Sequence, residues 1–533
     1  MAVARSVGKC GVLAAYSLRC HAFGKLYLYK QMRHQPLPKI TRIAAVLVAS
    51  MVSATVLAQV APVRPRLVVG IVVNGLTDDY LQLLRHRFGA DGFNRLLNNG
   101  LVLTDVEFGT PMDEAAATAA IYTGASPAIN GIASATAYDL DKRLAVATLN
   151  DPSKIGNYTN ETYSPAAIRV STLGDEARID GDGVGQVHSI APDPAQAIIM
   201  SGHAGNSSFW LNDLTGQWAT TTYYKDVPTP VQDVNYRTPL AARLDTMSWV
   251  PSLALDAYPC LPRHKQYYAF RYVFPRGDKE RYGKFKTSPR VNDEITDIAS
   301  RYITSMTLGS RDAIDMLNIA YTLQPYSGAK DSDSRLETMD AYLKLDAGLG
   351  RLFRTIDKRV GLGNAVIFLA GTPARPAPRR DDPKWALPSG EFSTRRAISL
   401  LNVYLMAIYG NGEWVQGYHN GHLYLNRKLI KERDHDIRKM RADAADFLSR
   451  MSGVSDVYTI DDITVLVLRK DEITPGWLQS RFALSTDESL AVAMKLLDDG
   501  VITLATEGES PDLNTYRVAV ATKAPAEEPI TLE

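Results

Sequence analysis

The stretch at 110–132, TPMDEAAATAAIYTGASPAINGI, sets two carboxylates, Asp113 and Glu114, at the head of an alanine-rich run. A carboxylate there could form a covalent intermediate, bind a metal or cap a helix. Thr118 offers a hydroxyl one helical turn further on. Asp78 and Asp79 supply two more acids that could join Asp113 or Glu114 around a cation. His419 and His422, in GYHNGHLYLN, have a spacing that suits zinc, with Asp434 and His435 close behind. The bland reading of each is the weightier one. Acids collect at helix starts because the exposed N–H groups and the dipole favour negative charge. Surface imidazoles are common, and His203 in its Gly-His-Ala setting reads as structural. The DSDS run at 331–334 lacks the spacing and closing Glu of a calcium loop. The GLG at 361–363 reads as a helix stop.

The elements that would hold these groups follow from hydrophobic period. Residues 66–74, RLVVGIVVN, form a continuous apolar, mostly β-branched run, the pattern of a parallel strand buried on both faces. Residues 78–99 show helical spacing, with Leu81, Leu84, Phe88, Phe93 and Leu96 inward and Gly100 as C-cap. The run AIIM at 197–200 is expected to be another short buried strand. Residues 337–360 form a long amphipathic helix with Met339, Tyr342, Leu345, Leu349 and Phe353 on one face, followed by a strand at 365–370. Residues 374–392, rich in Pro, Arg and Asp, read as a loop, and helices and strands alternate from 397 to 468. The expected class is α/β, a sheet with helices on both faces.

The chain has 533 residues, 45% hydrophobic and 22% charged, with a formal net charge of +1. That balance is ordinary for a globular protein and gives no bulk basic surface for a polyanion. No basic run alternating with aromatics stands out in this reading, so nucleic acid is not an expected partner. Residues 32–42 form a basic region, 43–57 a 15-residue apolar run, and Val56-Leu57-Ala58 fits the small-residue cleavage rule. A cleaved signal peptide over 32–58 is expected, with a mature start near Gln59 and export to the periplasm or beyond. No transmembrane helix is expected after cleavage. Residues 1–31 read as an over-extension ahead of the better start at Met32. Of the three cysteines, Cys10 and Cys20 leave with the leader, so the mature chain keeps Cys260 and has no intrachain disulfide. The tail from Ala524 reads as frayed.

Five ordered segments carry a resemblance: RPRLVVGIVVNGLTDDYL, IYTGASPAINGI, SGHAGNSSFWLNDLTGQWATTTYY, the stretch ETMDAYLKLDAGLGRLFRTIDKRVGLGNAVIFLAG, and LNVYLMAIYGNGEWVQGYHNGHLYLNRKLI. ADAADFLSRMSGVSDVYT follows. Together they resemble the phosphate-irrepressible bacterial alkaline phosphatases of the type I phosphodiesterase/nucleotide pyrophosphatase branch, over about residues 64–459. The resemblance implies an alkaline phosphatase-like sandwich with a central, mostly parallel sheet and a cap-like insertion. The fold domain would span 59–470, and 471–533 would be a divergent C-terminal segment. It also implies a centre of two zinc ions that activate a Thr or Ser nucleophile.

Carried over residue by residue, the resemblance places Asn74 where the family has a metal-binding Asp and Glu114 where it has the nucleophile. Ala135 stands for the Asn that holds a phosphate oxygen. Asp193 and Ala195 stand for a basic phosphate clamp. Pro325 and Ala329 stand for an Asp and a His ligand, and Thr372 and Pro373 for another Asp and His. Every alignable chemical position is substituted while the packing motifs persist. The expectation is therefore an exported pseudoenzyme without bound zinc, serving as a binding or assembly protein for an unnamed protein or ligand. The alternative is an active phosphomonoesterase or phosphodiesterase with a rebuilt site. A receptor for a small ligand other than a phosphate ester stands third.

Overall fold

The computed structural model describes residues 10–15 and 64–518, apart from 107, 109–111, 141, 262, 330–332, 375–391, 455, 468–469, 471, 483–485, 499, 509–510 and 512–513. The expected leader at 32–58, the tail from Ala524 and nearly all of the 374–392 loop lie outside the described residues.

A first strand, β1 (Cys10–Ala15), pairs antiparallel with two others: β3 (Leu101–Val106) and β9 (Ala365–Thr372). Beyond β9 the sheet continues through β2 (Leu67–Asn74), β8 (Asp315–Thr322), β5 (Val187–Ala191), β6 (Ser207–Leu211), β7 (Trp218–Thr221) and β4 (Gly156–Asn157). From β9 to β6 the strands run parallel; β7 and β4 turn antiparallel at the edge. β2, β8 and β9 are in register to their ends, so Asn74 lies between Thr322 and Thr372.

Period two along β2 decides what faces what. Leu67, Val69, Ile71 and Val73 pack into the larger core, against α6 (Pro289–Ser305) and α7 (Arg335–Arg359). Val68 and Val72 pack into the opposite layer, with α3 (Glu114–Thr123) and α5 (Pro194–Ser201). Asn74 therefore ends the face that looks at α3 and α5. Gly70 on that face leaves room for Tyr122 of α3; a Cβ there would collide with the tyrosine hydroxyl, the Phe368 ring and Asn318. Full burial of residues such as Val72, Tyr122 or Leu349 stabilises the layers by roughly 1.5–3 kcal/mol each.

Two expectations fail for identifiable reasons. The AIIM run is not a strand: it is inside helix α5, which starts at Pro194 and buries all of Gln196 to Ser201. Four consecutive apolar residues cannot separate a strand from a helix buried all round, and Pro at the first helical position supports the helix. The expected helix over 78–99 is broken into α1 (Asp78–Leu84), a 3-10 turn and α2 (Phe93–Asn99). The break is held from outside, because the Asp346 carboxylate of α7 accepts the N–H groups of Gly89 (2.7 Å) and Phe93 (2.8 Å). The long helix and its inward residues are as expected.

Past α7, residues 394–449 form a lobe with its own core. It comprises α8 (Thr394–Tyr409), a hairpin of β10 (Val415–His419) and β11 (His422–Leu425), and α9 (Ile437–Ser449). Tyr458 to Val518 build a further small core. No helix among the described residues is long and apolar enough to cross a membrane.

Candidate functional site

The chain's polar focus is the crest where β2, β8 and β9 end, where open α/β sheets usually receive ligands. Gly75, at φ +76°, turns the chain away there and donates its N–H to the Thr372 carbonyl. Asn74 is buried and faces Gln196 of α5. Their side-chain amides pair reciprocally: Asn74 Nδ2 donates to Gln196 Oε1 at 2.7 Å, and Gln196 Nε2 donates to Asn74 Oδ1 at 2.9 Å. Thr372 Oγ1 donates to the same Asn74 oxygen at 2.9 Å. Gln196 Nε2 also reaches Thr118 Oγ1 at 2.9 Å, while Thr118 donates to the Glu114 carbonyl. Asn74, Thr118, Gln196 and Thr372 thus form one closed network of neutral groups.

Glu114 is half-buried at the first turn of α3. Its Oε1 accepts from Gln324 Nε2 at 3.0 Å, and the same amide nitrogen bonds the Pro373 carbonyl. Asp113 is the N-cap of α3: one oxygen accepts from Ala116 N, the other from Ser134 Oγ and Ala135 N at 2.7 Å each. Ala135 therefore contributes a backbone N–H to the rim. Asn420, at the tip of the β10–β11 hairpin, donates to Ser134 Oγ, so the later lobe touches this rim.

Asp193 stands at the N-cap position of α5 without a side-chain capping bond, and instead pairs with Lys286 at 2.6 Å; Asp213 pairs with the same Nζ at 2.9 Å. Burial works against the Lys286 charge, yet the two carboxylates outweigh it and hold its pKa above the ordinary lysine value. Ala195 packs partly buried in the α3/α5 layer. Pro325 and Ala329 lie in the loop after β8; Pro325 follows Gln324, and Ala329 packs against the larger core. An open, mostly apolar groove of about 520 Å³ runs beside α3, lined by Phe108, Met112, Ile121, Leu173 and Phe368 among others.

Asn74, Glu114, Thr372 and Pro373 are brought together at one crest, with Ala135 on its rim and Asp193 at the head of the helix that carries Gln196. Gln196 and Gln324 went unnoticed in the sequence. A lone glutamine in the apolar run PAQAIIM was the available signal for the first. The other candidates are not assembled into a centre. His203 bonds Asp175 (3.1 Å) and the Ile168 carbonyl (3.0 Å), bracing the capping box of α4 (Leu173–Asp180). His419 lies against the Thr136 carbonyl and Tyr138, and His435 against Tyr409 and Trp414. Asp78 and Asp79 sit in the first turn of α1. Among the described residues, no three His, Cys, Asp or Glu side chains group closely enough to hold a metal ion.

Comparison with known proteins defines the class. Residues 68–464 match the family model of type I phosphodiesterases and nucleotide pyrophosphatases, and the chain belongs to that family. It is 27% identical to the alkaline phosphatase PafA of Elizabethkingia meningoseptica, over 75% of this chain and 76% of the relative. It is 27% identical to the alkaline phosphatase PhoV of Synechococcus elongatus, over 78% of each. A protein of Myroides odoratus bearing the name calcium-transporting ATPase is 28% identical over 75% of this chain and 76% of its own length. The crystal structure of wild-type PafA superposes with a TM-score of 0.65 at 26% identity, covering 75% of this chain and 79% of that one.

Proposed function

We propose that this chain is an exported member of the family that has given up ester hydrolysis and works as a binding or assembly protein. The observation that carries the reading is the closed amide–hydroxyl network at the crest. Zinc is held by thiolates, imidazoles and carboxylates. Among the described residues the crest network touches one carboxylate, Glu114, engaged by Gln324; Asp113 beside it is spent on capping α3 and on the Ser134–Ala135 rim, and the Asn74 and Gln196 amides are spent on each other. These residues do not fit a pair of zinc ions. Phosphate monoester hydrolysis needs up to ~10²¹-fold acceleration, which a neutral network cannot supply. The ion-pair cluster of Asp193, Asp213 and Lys286 carries a net negative charge and disfavours a phosphate dianion.

The open apolar groove beside α3 supports a role in binding, since apolar concavities are the usual ligand seats. The leader-like run at 43–57 supports export. A second reading, a hydrolase with a rebuilt site, is favoured by one observation: Lys286 brings a cation to the position at Asp193 from a different element. The two part on one assay. Purified protein is offered an activated phosphate monoester and a diester, with and without zinc. The binding role predicts no turnover above buffer. Turnover abolished by Glu114→Ala establishes the hydrolase instead.

A further inference from the structure

The insertion between α5 and α6 carries a surface that neither the fold nor the crest uses. Between Asp256 and Asp278 the chain has no acidic residue, and it interleaves Arg263, Arg271 and Arg276 with Tyr267, Tyr268 and Phe270. This short alternation runs against the expectation that no basic run interleaves with aromatics. Tyr267 and Tyr268 are consecutive and are 74% and 82% exposed. In the same insertion Val250, Leu253 and Val273 are exposed as well. Val273 lies on the short strand Tyr272–Val273, which pairs with Ser248–Trp249, so Val250 and Val273 share one small platform, and Tyr267 and Tyr268 lie in the loop that leads into it.

The platform is clamped from beneath. Lys265, between the arginine and the tyrosines, is buried and bonds both Glu337 oxygens at 3.0 and 2.9 Å; the Tyr272 hydroxyl donates to the same carboxylate. One turn along α7, Asp340 accepts from Trp249 Nε1, Ser252 N and the Tyr258 hydroxyl, at 2.6, 2.6 and 2.7 Å. A solvent loop with no task does not require two buried carboxylates to hold it. A surface that must bind without a large ordering cost does. The outward groups are tyrosines, small aliphatics and arginines, and Asp256 is the acid exposed within the span. Tyrosine settles at the boundary of headgroups and acyl chains, short aliphatics enter that boundary, and arginines attract anionic headgroups. Nucleic acid fits less well, because strong binders neutralise roughly 6–10 phosphates, and here Arg263 and Arg271 are the cations that form no ion pair within the described residues.

We propose that the 248–273 platform is a peripheral docking surface for an anionic lipid bilayer. It is independent of whether the crest retains chemistry. The test is co-sedimentation of the full chain with vesicles of pure phosphatidylcholine and with vesicles containing phosphatidylglycerol, at low and high salt. Wild type is compared with Tyr267→Ser/Tyr268→Ser and with Arg263→Gln/Arg271→Gln. A leader retained in both proteins contributes equally to both. The expected result is binding to the anionic vesicles that falls with salt and drops at least about tenfold in either variant, with thermal melting unchanged. Equal binding by wild type and variants, equal binding to neutral vesicles, or preferential competition by a single-stranded oligonucleotide overturns the proposal.

Discussion

Replacing Asn74 by Asp is the most informative single change, because it restores the residue type that the resemblance implies while breaking the observed network. Asn74 is 1% exposed. Its Nδ2 donates to Gln196 Oε1 at 2.7 Å, and its Oδ1 accepts from Gln196 and Thr372 at 2.9 Å each. Aspartate turns the donor into a second acceptor facing a carbonyl oxygen. Either the clash stays, or the Gln196 amide turns over and withdraws its N–H groups from Thr118. A lost buried partner costs about 1–3 kcal/mol, and an uncompensated buried charge about 3–5 kcal/mol. The two overlap, so we expect a loss of about 3–5 kcal/mol at neutral pH. At about 2–4 °C per kcal/mol, with the lower end apt for a large chain, Tm falls by roughly 6–10 °C. The sign with pH is fixed. Burial raises the folded pKa of the new carboxyl above its unfolded value of about 3.9. The penalty is absent below that value, grows as pH rises through it, and levels off above the folded pKa. Scanning calorimetry of both proteins at pH 4 and pH 8 should therefore show a wider gap at pH 8. Equal Tm values at pH 8 would refute the closed network. A zinc-dependent rise in the variant's Tm would show that a metal cage persists there.

Other consequences follow from the same structure. Glu337→Gln leaves the buried Lys265 ammonium without its carboxylate, and should cost about 3–5 kcal/mol, read as a lower denaturation midpoint in urea. Gly92→Ala drives a Cβ into the Asp346 carboxylate and carbonyl, and should cost about 1–3 kcal/mol in the same measurement. The Asp175 hydrogen bond raises the His203 pKa above 6.5, so its contribution is present below that value and is lost as pH rises through the higher folded pKa. His203→Gln should flatten that part of the stability profile. If a leader ending near Ala58 is dispensable to the fold, residues 59–533 should melt cooperatively with the Tm of the full chain. A large loss of Tm would instead make β1 an integral strand.

Legibility divided along physical lines. β2, α7 and β9 were readable because period and β-branching agree with their burial, whereas the site positions Asn74, Glu114 and Thr372 came from the family resemblance and not from the period. α5 was misread because a helix buried on every side loses its amphipathic period. The break between α1 and α2 was hidden because its cause, Asp346, is more than two hundred residues away in sequence. The partnership of Asn74 with Gln196 was invisible for the same reason: it joins a strand end to a helix across the layer, and no local pattern announces it.

The central claim is that a neutral network stands where the resemblance implies a metal centre. Titration of zinc into chelator-treated protein, followed by calorimetry and by metal analysis after dialysis, tests it most directly. The account predicts no stoichiometric zinc and no heat of specific binding. Two retained equivalents per chain, lost on Glu114→Ala, would contradict it.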